Sequence, residues 1–341
     1  MGDILHALPA VTALRQAHPG WVIDWIVEPR WRPLLAAAAA SARDTSAAAP
    51  LQPVVDRLHF APTRAWRKQP FAAPTRSAVA ALRRDLRSAR YDVVIDFQGA
   101  IRSAVLARFT GCRRRIGESA PREYAARWLF TDRVVTHGAH VIEQDLELAA
   151  SIAGDELAYT PPLLPFDPEA EVWAARLLGS GPPAALINPG AGWGAKRWPI
   201  ERYAAVAEGL LARGLRVVVN AGPGEEPFVE AIQRQTANAV LPLQASLERL
   251  IAITRRVALV VAGDTGPLHL ACALGRPVVG IYGPTDPARN GPFGTAFRVL
   301  RHPESIRDHT RREAPEAGLL TIQPPDVLHA AFELLYPESA A

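Results

Sequence analysis

The sequence predicts an α/β protein with two domains, each built on a parallel β-sheet. Three observations support this fold class. Apolar segments typical of strands alternate with short helical segments, a proline-rich segment at 160–168 interrupts the alternation near the middle, and 341 residues suit two domains. A composition of 49% hydrophobic and 21% charged residues is typical of a folded globular chain and excludes a disordered one.

The first half of the chain starts with a Gly-Asp pair at residues 2–3, which leads into an apolar helix. Its other predicted elements are strands at 22–27, 91–96, 113–117 and 133–135 and a helix at 77–90. A Rossmann-like domain has a central first strand before such a turn, and only Met1 precedes it here. We therefore expect this domain to lack its first strand, and we interpret Met1 as an internal methionine of a natural protein roughly ten residues longer.

The second half alternates more regularly. It predicts strands at 184–188, 215–220, 257–262 and 277–281 and helices at 169–178, 200–213, 226–235, 247–255, 267–274 and 326–335. We expect two Rossmann-like domains, 1–165 and 166–341, facing each other across a cleft, with the last helix packing back on the N-terminal domain. Ligands of such sheets bind beyond the carboxyl ends of the strands, so the functional motifs are expected there.

Basic residues are concentrated in one part of the chain. Residues 61–133 hold sixteen Arg and Lys against six Asp and Glu, although the whole chain has a net charge of +4. This stretch is interpreted either as solvated helix faces of an arginine-rich chain or as a surface for an anionic partner such as a phosphorylated glycolipid or lipid headgroups. Nucleic acid ranks last, because no nucleic-acid-binding motif or aromatic stacking platform accompanies the charge.

Several classes of protein are excluded. Two cysteines are too few for a disulfide scaffold or a cysteine-rich zinc module, and they fit a reducing compartment. No apolar run approaches the ~20 residues of a membrane span, and Asp3 stands where a signal peptide has basic residues. We therefore expect a cytoplasmic protein. No Asp-x-Asp pair or histidine cluster predicts a metal, and no cofactor is expected.

The segment 263–269, Gly-Asp-Thr-Gly-Pro-Leu-His, directly follows a predicted strand. Its glycines permit a tight turn, and Asp264 or Thr265 can cap a helix whose free N–H groups then favour a diphosphate. Taken alone, these residues are more simply interpreted as an ordinary capped helix. The polar loop 283–287 follows the next strand, however, so two polar loops converge on one sheet edge and favour a binding site.

Two further loops are predicted at the same edge. The glycine-rich segment 188–199 contains Lys196, one of only two lysines, and a compact ammonium group suits phosphate. Its spacing differs from that of a nucleotide-hydrolysing P-loop, which disfavours that mechanism. The loop 222–226 supplies Glu225, whose carboxylate can accept hydrogen bonds from ribose hydroxyls or simply favour the first turn of a helix.

Together these segments resemble glycosyltransferase family 9, the ADP-heptose:lipopolysaccharide heptosyltransferases, over nearly the whole chain. The resemblance rests on GDILHALPAVTALRQAHPG, IDWIVEPRW, YDVVIDFQGAIRSA, WGAKRWP and AGDTGPLHLACALGRPVVGIYGPTDP. It implies a GT-B fold. IDWIVE and DFQGAIRSA are most similar to the heptosyltransferase I type, which places the first heptose on Kdo of the lipid A core.

The resemblance also implies roles for individual residues. Asp3 matches the catalytic base and Lys196 the lysine that contacts the diphosphate. The donor-binding set comprises Lys196, Glu225, Asp264, Thr265, Gly266 and His269, and the acceptor side comprises Arg64, Arg67, Arg102, Arg122 and His140. The implied reaction is an inverting transfer of L-glycero-D-manno-heptose from ADP-heptose to the Kdo-lipid A inner core, without a metal. An anionic glycolipid acceptor and peripheral contact with the inner membrane are the implied partners.

Three alternatives stay open at this stage. The first is a relative of the same fold that uses another nucleotide sugar or acceptor, or a sugar-nucleotide epimerase of GT-B shape. The second, favoured if the short N-terminus is real, is an inactive nucleotide-sugar-binding protein. A dehydrogenase is the weakest alternative, because no strand is followed by G-x-G-x-x-G with an acidic residue about 20 positions on. The oligomeric state is not predicted.

Overall fold

The computed structural model describes residues 1–37, 54–308, 310 and 312–337. The chain divides into two compact units, and the division falls between Pro165 and Phe166. We call the part before this point the first unit and the part after it the second unit. Each has its own strands, helices and buried apolar core.

The first unit alternates helices with short strands. Its elements are α1 (Gly2–Ala17), β1 (Asp24–Val27), β2 (Arg57–Phe60), α2 (Thr63–Lys68), α3 (Ala73–Ser88), β3 (Val94–Asp96), α4 (Ile101–Phe109), β4 (Arg115–Glu118), β5 (Asp132–Val134) and α5 (Val141–Ala153). The strands form two parallel sheets, β1-β2 and β3-β4-β5. Parallel pairing with helical crossovers is the arrangement that the alternating sequence pattern predicts.

A groove separates the two sheets of the first unit, because no strand of the described residues lies between β1 and β3. The groove is a cavity of about 450 Å³ beneath α1. Its apolar lining includes Ile4, Ala7, Val11, Ile26, Val94 and Ile95. Among the described residues, no strand therefore occupies the position of the first strand of a Rossmann-like domain.

The second unit is a complete doubly wound domain. Its elements are α6 (Pro168–Leu178), β6 (Ala184–Asn188), α7 (Ile200–Ala212), β7 (Arg216–Asn220), α8 (Glu226–Gln235), β8 (Leu241–Leu243), α9 (Leu247–Thr254), β9 (Leu259–Gly263), α10 (Gly266–Ala273), β10 (Val278–Tyr282), α11 (Pro287–Asn290), β11 (Phe297–Arg301) and α12 (Pro324–Leu335). The six strands are parallel in the order β8-β7-β6-β9-β10-β11, which is the 3-2-1-4-5-6 order of a Rossmann fold.

The central strands of the second unit are buried on both faces. Every residue of β6, β9 and β10 is buried, which explains why these strands read as continuous apolar runs rather than as an alternating pattern. The helix α12 adds Val327, Ala330 and Ala331 to the core of this unit. Its packing on the first unit stays a prediction. Among the described residues, no helix combines the length and apolar character that a membrane crossing requires.

Candidate active site

Four loops of the second unit meet at the carboxyl edge of its sheet. They follow β7, β6, β9 and β10, which are neighbours in the sheet, so the strand ends lie side by side. Asn188 and Asn220 close β6 and β7, and the Asn220 Nδ2 donates a 2.7 Å hydrogen bond to the Asn188 Oδ1. The convergence of polar loops that the sequence predicts at this edge is present.

Lys196 lies in the loop after β6 and bonds to the loop after β9. Its Nζ donates to the Asp264 Oδ2 and, at 3.4 Å, to the Asp264 backbone carbonyl. The same ammonium group lies 4.2 Å from the centre of the Trp193 ring, a cation–π distance. Only about a tenth of each charged side chain is exposed, so the pair is shielded from water. The loops after β6 and β9 are thereby joined by a buried cation.

His269 completes the cluster from the first turn of α10. Its Nε2 lies 3.2 Å from the Asp264 Oδ1, so both carboxylate oxygens of Asp264 have a partner. Burial alone would raise the pKa of Asp264, but the hydrogen bond from His269 and the charge of Lys196 hold it well below its usual range. Asp264 is therefore ionised and fixes the position of Lys196, rather than being free to accept a proton.

The helix α10 begins beside this cluster without a side-chain cap. Thr265 is the cap residue, and its Oγ1 donates to the Gly263 carbonyl at 3.2 Å instead of accepting from the helix. The N–H groups of Gly266 and Leu268 have no carbonyl within the helix to bond, because they belong to its first turn. The helix terminus offers free N–H donors and the adjacent Lys196 offers a positive charge. Together they provide what a diphosphate site requires.

Glu225 brings the loop after β7 against the loop after β6. Its Oε2 accepts a 2.8 Å hydrogen bond from the Gly222 N–H. A side chain at Gly190 would meet the same carboxylate at 2.1 Å, so the glycine lets Glu225 keep this position. The carboxylate lies at the sheet edge where the sequence predicts a ribose-binding acid, and its contact with ribose stays a prediction.

Two polar groups of this edge did not emerge from the sequence as candidate site residues. In the described part of the chain, the Trp193 Nε1 and the Thr285 Oγ1 are buried and have no hydrogen-bond partner. Buried polar groups are nearly always paired, so each is available to a bound ligand. Both lie in glycine-containing loops, and no local pattern distinguishes them from ordinary packing residues.

The segment 312–316 braces the lysine loop and was also not predicted. Its Arg312 carbonyl accepts a 2.9 Å hydrogen bond from the Ala195 N–H, and its Glu316 N–H donates to the Ala195 carbonyl at 3.1 Å. The segment therefore holds the residue before Lys196 in place from both sides. Among the described residues, no group of three or more His, Cys, Asp or Glu side chains is placed to hold a metal ion.

A second polar cluster forms around Asp3 in the first unit. The Asp3 Oδ2 accepts a 2.7 Å hydrogen bond from the Gln98 Nε2, and the Arg122 Nη1 lies 3.6 Å from the same oxygen. Arg102 donates to the Gln98 Oε1 at 3.3 Å. The Asp3 carboxylate is about half exposed, so it is oriented by partners and still accessible to a substrate. Gln98 was not among the predicted site residues.

The other predicted acceptor-side residues are not all near Asp3. Arg64 and Arg102 line the same cavity as Asp3, whereas Arg67 is exposed on α2 and is not part of that lining. His140 is buried and caps α5, because its Nδ1 accepts a 3.2 Å hydrogen bond from the Ile142 N–H. Its contact with an acceptor stays a prediction, as does that of Arg67.

Comparison with known proteins places the chain in a family. The model of "Glycosyltransferase family 9 (heptosyltransferase)" matches residues 79–319, more than half of the chain. The chain belongs to glycosyltransferase family 9. Lipopolysaccharide heptosyltransferase 1 of Escherichia coli strain K12 is 31% identical over 309 residues, which are 89% of this chain and 91% of that protein. The predicted family and the predicted enzyme class, glycosyltransferase, are confirmed.

Solved structures show the same fold. The E. coli heptosyltransferase WaaC with ADP is 28% identical, has a TM-score of 0.78, and is matched over 98% of this chain and 97% of its own. The same enzyme with ADP-2-deoxy-2-fluoro heptose is 27% identical, has a TM-score of 0.75, and is matched over 100% and 97%. The predicted GT-B fold of this family is thereby confirmed.

Proposed function

We propose that this protein transfers L-glycero-D-manno-heptose from ADP-heptose to Kdo of the lipid A inner core, with inversion at the anomeric carbon. The observation that carries the proposal is the buried Lys196–Asp264–His269 cluster at the uncapped start of α10. This arrangement suits a diphosphate leaving group. Relatives solved with ADP and with an ADP-heptose analogue support the same donor.

In this proposal the second unit binds the donor. Lys196 and the N–H groups of Gly266 and Leu268 stabilise the negative charge that grows on ADP as its bond to the sugar breaks. These donors are fixed before substrate binds, since Asp264 and Trp193 already hold the lysine. Glu225 is assigned to the ribose hydroxyls.

The first unit supplies the base and the acceptor side. Asp3 takes the proton of the acceptor hydroxyl as that oxygen attacks the anomeric carbon and the bond from that carbon to the ADP oxygen breaks. Gln98 orients the Asp3 carboxylate, and Arg64, Arg102 and Arg122 supply positive charge for an anionic glycolipid. Because this acceptor is anchored in a bilayer, we also propose that the protein works at the cytoplasmic face of the inner membrane.

The variant Asp3→Asn tests the assignment of the base. We expect turnover to fall by about 10²–10⁴-fold, the usual contribution of a general base, while affinity for ADP changes only a few-fold. Transfer to a Kdo-containing acceptor measures the first quantity and calorimetric titration with ADP the second. Asp92→Asn, at an exposed carboxylate of the same unit, is the matched control and should retain activity. Full turnover in Asp3→Asn would refute the assignment.

A comparison of nucleotides tests the donor. ADP should raise the Tm of the protein by mass action, and UDP, GDP and dTDP at equal concentration should raise it less. A larger shift with another nucleotide would favour a family relative with a different donor. ADP binding without any transfer would favour an inactive nucleotide-sugar-binding protein.

A further inference from the structure

The 3₁₀ helix Tyr124–Leu129 has one buried face and one exposed aromatic face. Ala126 is fully buried and Leu129 packs against the small core cluster of Ala104, Ala126 and Phe130. In contrast, Tyr124 is 61% exposed and Trp128 is 68% exposed. Large aromatic side chains are usually mostly buried in a folded domain. Two exposed rings side by side on one short helix therefore indicate an interaction surface.

Two arginines hold these rings. The Arg127 guanidinium lies 4.7 Å from the centre of the Tyr124 ring and 5.5 Å from that of Trp128, and the Arg133 guanidinium lies 5.2 Å from the Trp128 ring. Arg133 also donates to the Arg127 carbonyl at 3.1 Å. The exposed rings are therefore preorganised and carry positive charge at their surface. We call Tyr124, Arg127, Trp128 and Arg133 the aromatic-arginine platform.

The charge around the platform is mostly positive. Residues 113–133 contain six arginines and three acidic residues. Asp132 pairs with Arg114 at 2.9 Å, and six arginines less three acids leave this stretch a net charge of +3. The surface is thus complementary to a negative partner.

The platform is joined directly to the Asp3 cluster. The Glu123 N–H donates to the Gly99 carbonyl at 2.9 Å, next to Gln98, which bonds Asp3. Arg122, the residue before Glu123, lies 3.6 Å from the Asp3 carboxylate. A partner bound to the platform is consequently held at a fixed position relative to the proposed base.

We propose that the aromatic-arginine platform seats the first unit on an anionic lipid bilayer. Tryptophan and tyrosine are favoured at the interface between headgroups and acyl chains, and arginine adds attraction to anionic headgroups. This inference rests on the proposed function, in which the acceptor is a membrane glycolipid, and it adds the surface that brings the protein to it. Sugar headgroups projecting from the bilayer would then reach Arg122 and Asp3.

Sedimentation with vesicles tests this inference. The protein should bind mixed phosphatidylethanolamine–phosphatidylglycerol vesicles and bind phosphatidylcholine vesicles weakly. Trp128→Ala should reduce the partition coefficient about tenfold, given the apolar surface that the ring buries, and Arg133→Ala about fivefold, the value of one arginine near an anionic surface. The matched control is Phe71→Ala, which removes an 87% exposed ring of the same unit outside the platform. It should bind like the unmodified protein.

Two further measurements distinguish a failure of the membrane inference from a failure of the proposed function. The Tm of each variant should match that of the unmodified protein, because the removed side chains are exposed. Transfer to a soluble Kdo-containing acceptor should also be unchanged in Trp128→Ala. Equal binding to neutral vesicles, or equal losses in Phe71→Ala and Trp128→Ala, would overturn the inference without affecting the proposed function. Absent transfer together with normal vesicle binding would instead contradict the proposed function.

Discussion

Lys196 has an unusual environment for a lysine, because only about a tenth of its side chain is exposed and it contacts both a carboxylate and an aromatic ring. Asp264 neutralises it and the Trp193 ring lies 4.2 Å away, so its ammonium group is held in one position. A preorganised cation stabilises a leaving group without reorganisation during the reaction. The energetic importance of this residue therefore lies in its fixed position as well as in its charge.

Replacement of this lysine should affect catalysis strongly. We expect Lys196→Ala to lower kcat/KM by about 10²–10³-fold, the typical effect of removing one preorganised donor to a developing anion. Steady-state transfer assays measure it. Lys68→Ala, at the other lysine of the chain and exposed on α2, is the matched control and should stay close to full activity. Equal effects of the two substitutions would contradict the assignment of Lys196.

The same variant should change how stability depends on pH. In the folded protein the pKa of Asp264 is lowered. Its ionised form therefore stabilises the fold at pH values above the pKa of an unfolded aspartate, about 4, and this stabilisation is lost as the pH falls below that value. Lys196→Ala removes one cause of this lowering. The difference in unfolding free energy between the two proteins should therefore be largest near neutral pH and shrink below about pH 4. Urea unfolding across this range measures it.

Single residues also mark the limit of what the sequence could predict. Lys196 and Asp264 were recognised because each follows a strand in a distinctive loop. Their mutual bond spans 68 positions, and the bond of Gln98 to Asp3 spans 95, so neither follows from a local pattern. Trp193 and Thr285 were not recognised for a similar reason, since only the packed structure leaves their polar atoms unpaired.

At the scale of elements, central strands were predicted better than edge strands. The strand β6 begins and ends at the predicted residues, because its four apolar residues and the closing Asn188 are all buried. The sequence did not predict β8 and β11, which are the two edges of the same sheet. Pro242 interrupts β8, and Phe297 at the start of β11 is exposed, so neither has the apolar signature of an inner strand.

The groove between β1 and β3 has the position that β6 occupies in the second unit. Among the described residues, β1 pairs with β2 alone and β3 with β4 alone, and α1 covers the groove with apolar side chains. Burial lowers the pKa of the Met1 amino group at its mouth to about 6, with Asp3 opposing the shift and Arg30 and Arg64 adding to it. At neutral pH this amine is therefore mostly uncharged.

An apolar strand joined to Met1 should therefore stabilise the first unit. We expect an added segment of about five Val and Ile residues to raise the free energy of unfolding by a few kcal/mol, through buried apolar area and two rows of backbone hydrogen bonds. An extension of equal length made of Gly and Ser is the control and should have little effect. Chemical denaturation measures both, and equal stabilities would show that the groove does not accept a strand.

At the scale of the molecule, charge and function are divided between the units. The net charge of +4 combines a surplus of ten positive charges in residues 61–133 with a negative remainder. The basic stretch lies in the first unit, to which we assign the anionic glycolipid. In our proposal the second unit instead binds its anion through one lysine and a helix terminus, so donor recognition there would depend on local geometry more than on net charge.

This division predicts where each ligand protects the backbone. ADP should slow amide hydrogen exchange at the start of α10 and in the loops 188–199 and 222–226, because these groups are assigned to the nucleotide. A soluble Kdo-containing acceptor should instead slow exchange around Gln98 and Arg122. Mass spectrometry of exchanged peptides measures both, with UDP as the control nucleotide. If ADP slowed exchange only in the first unit, the assignment of the nucleotide to the second unit would be contradicted. Among the described residues, it is in the second unit that a lysine is fixed beside the start of a helix.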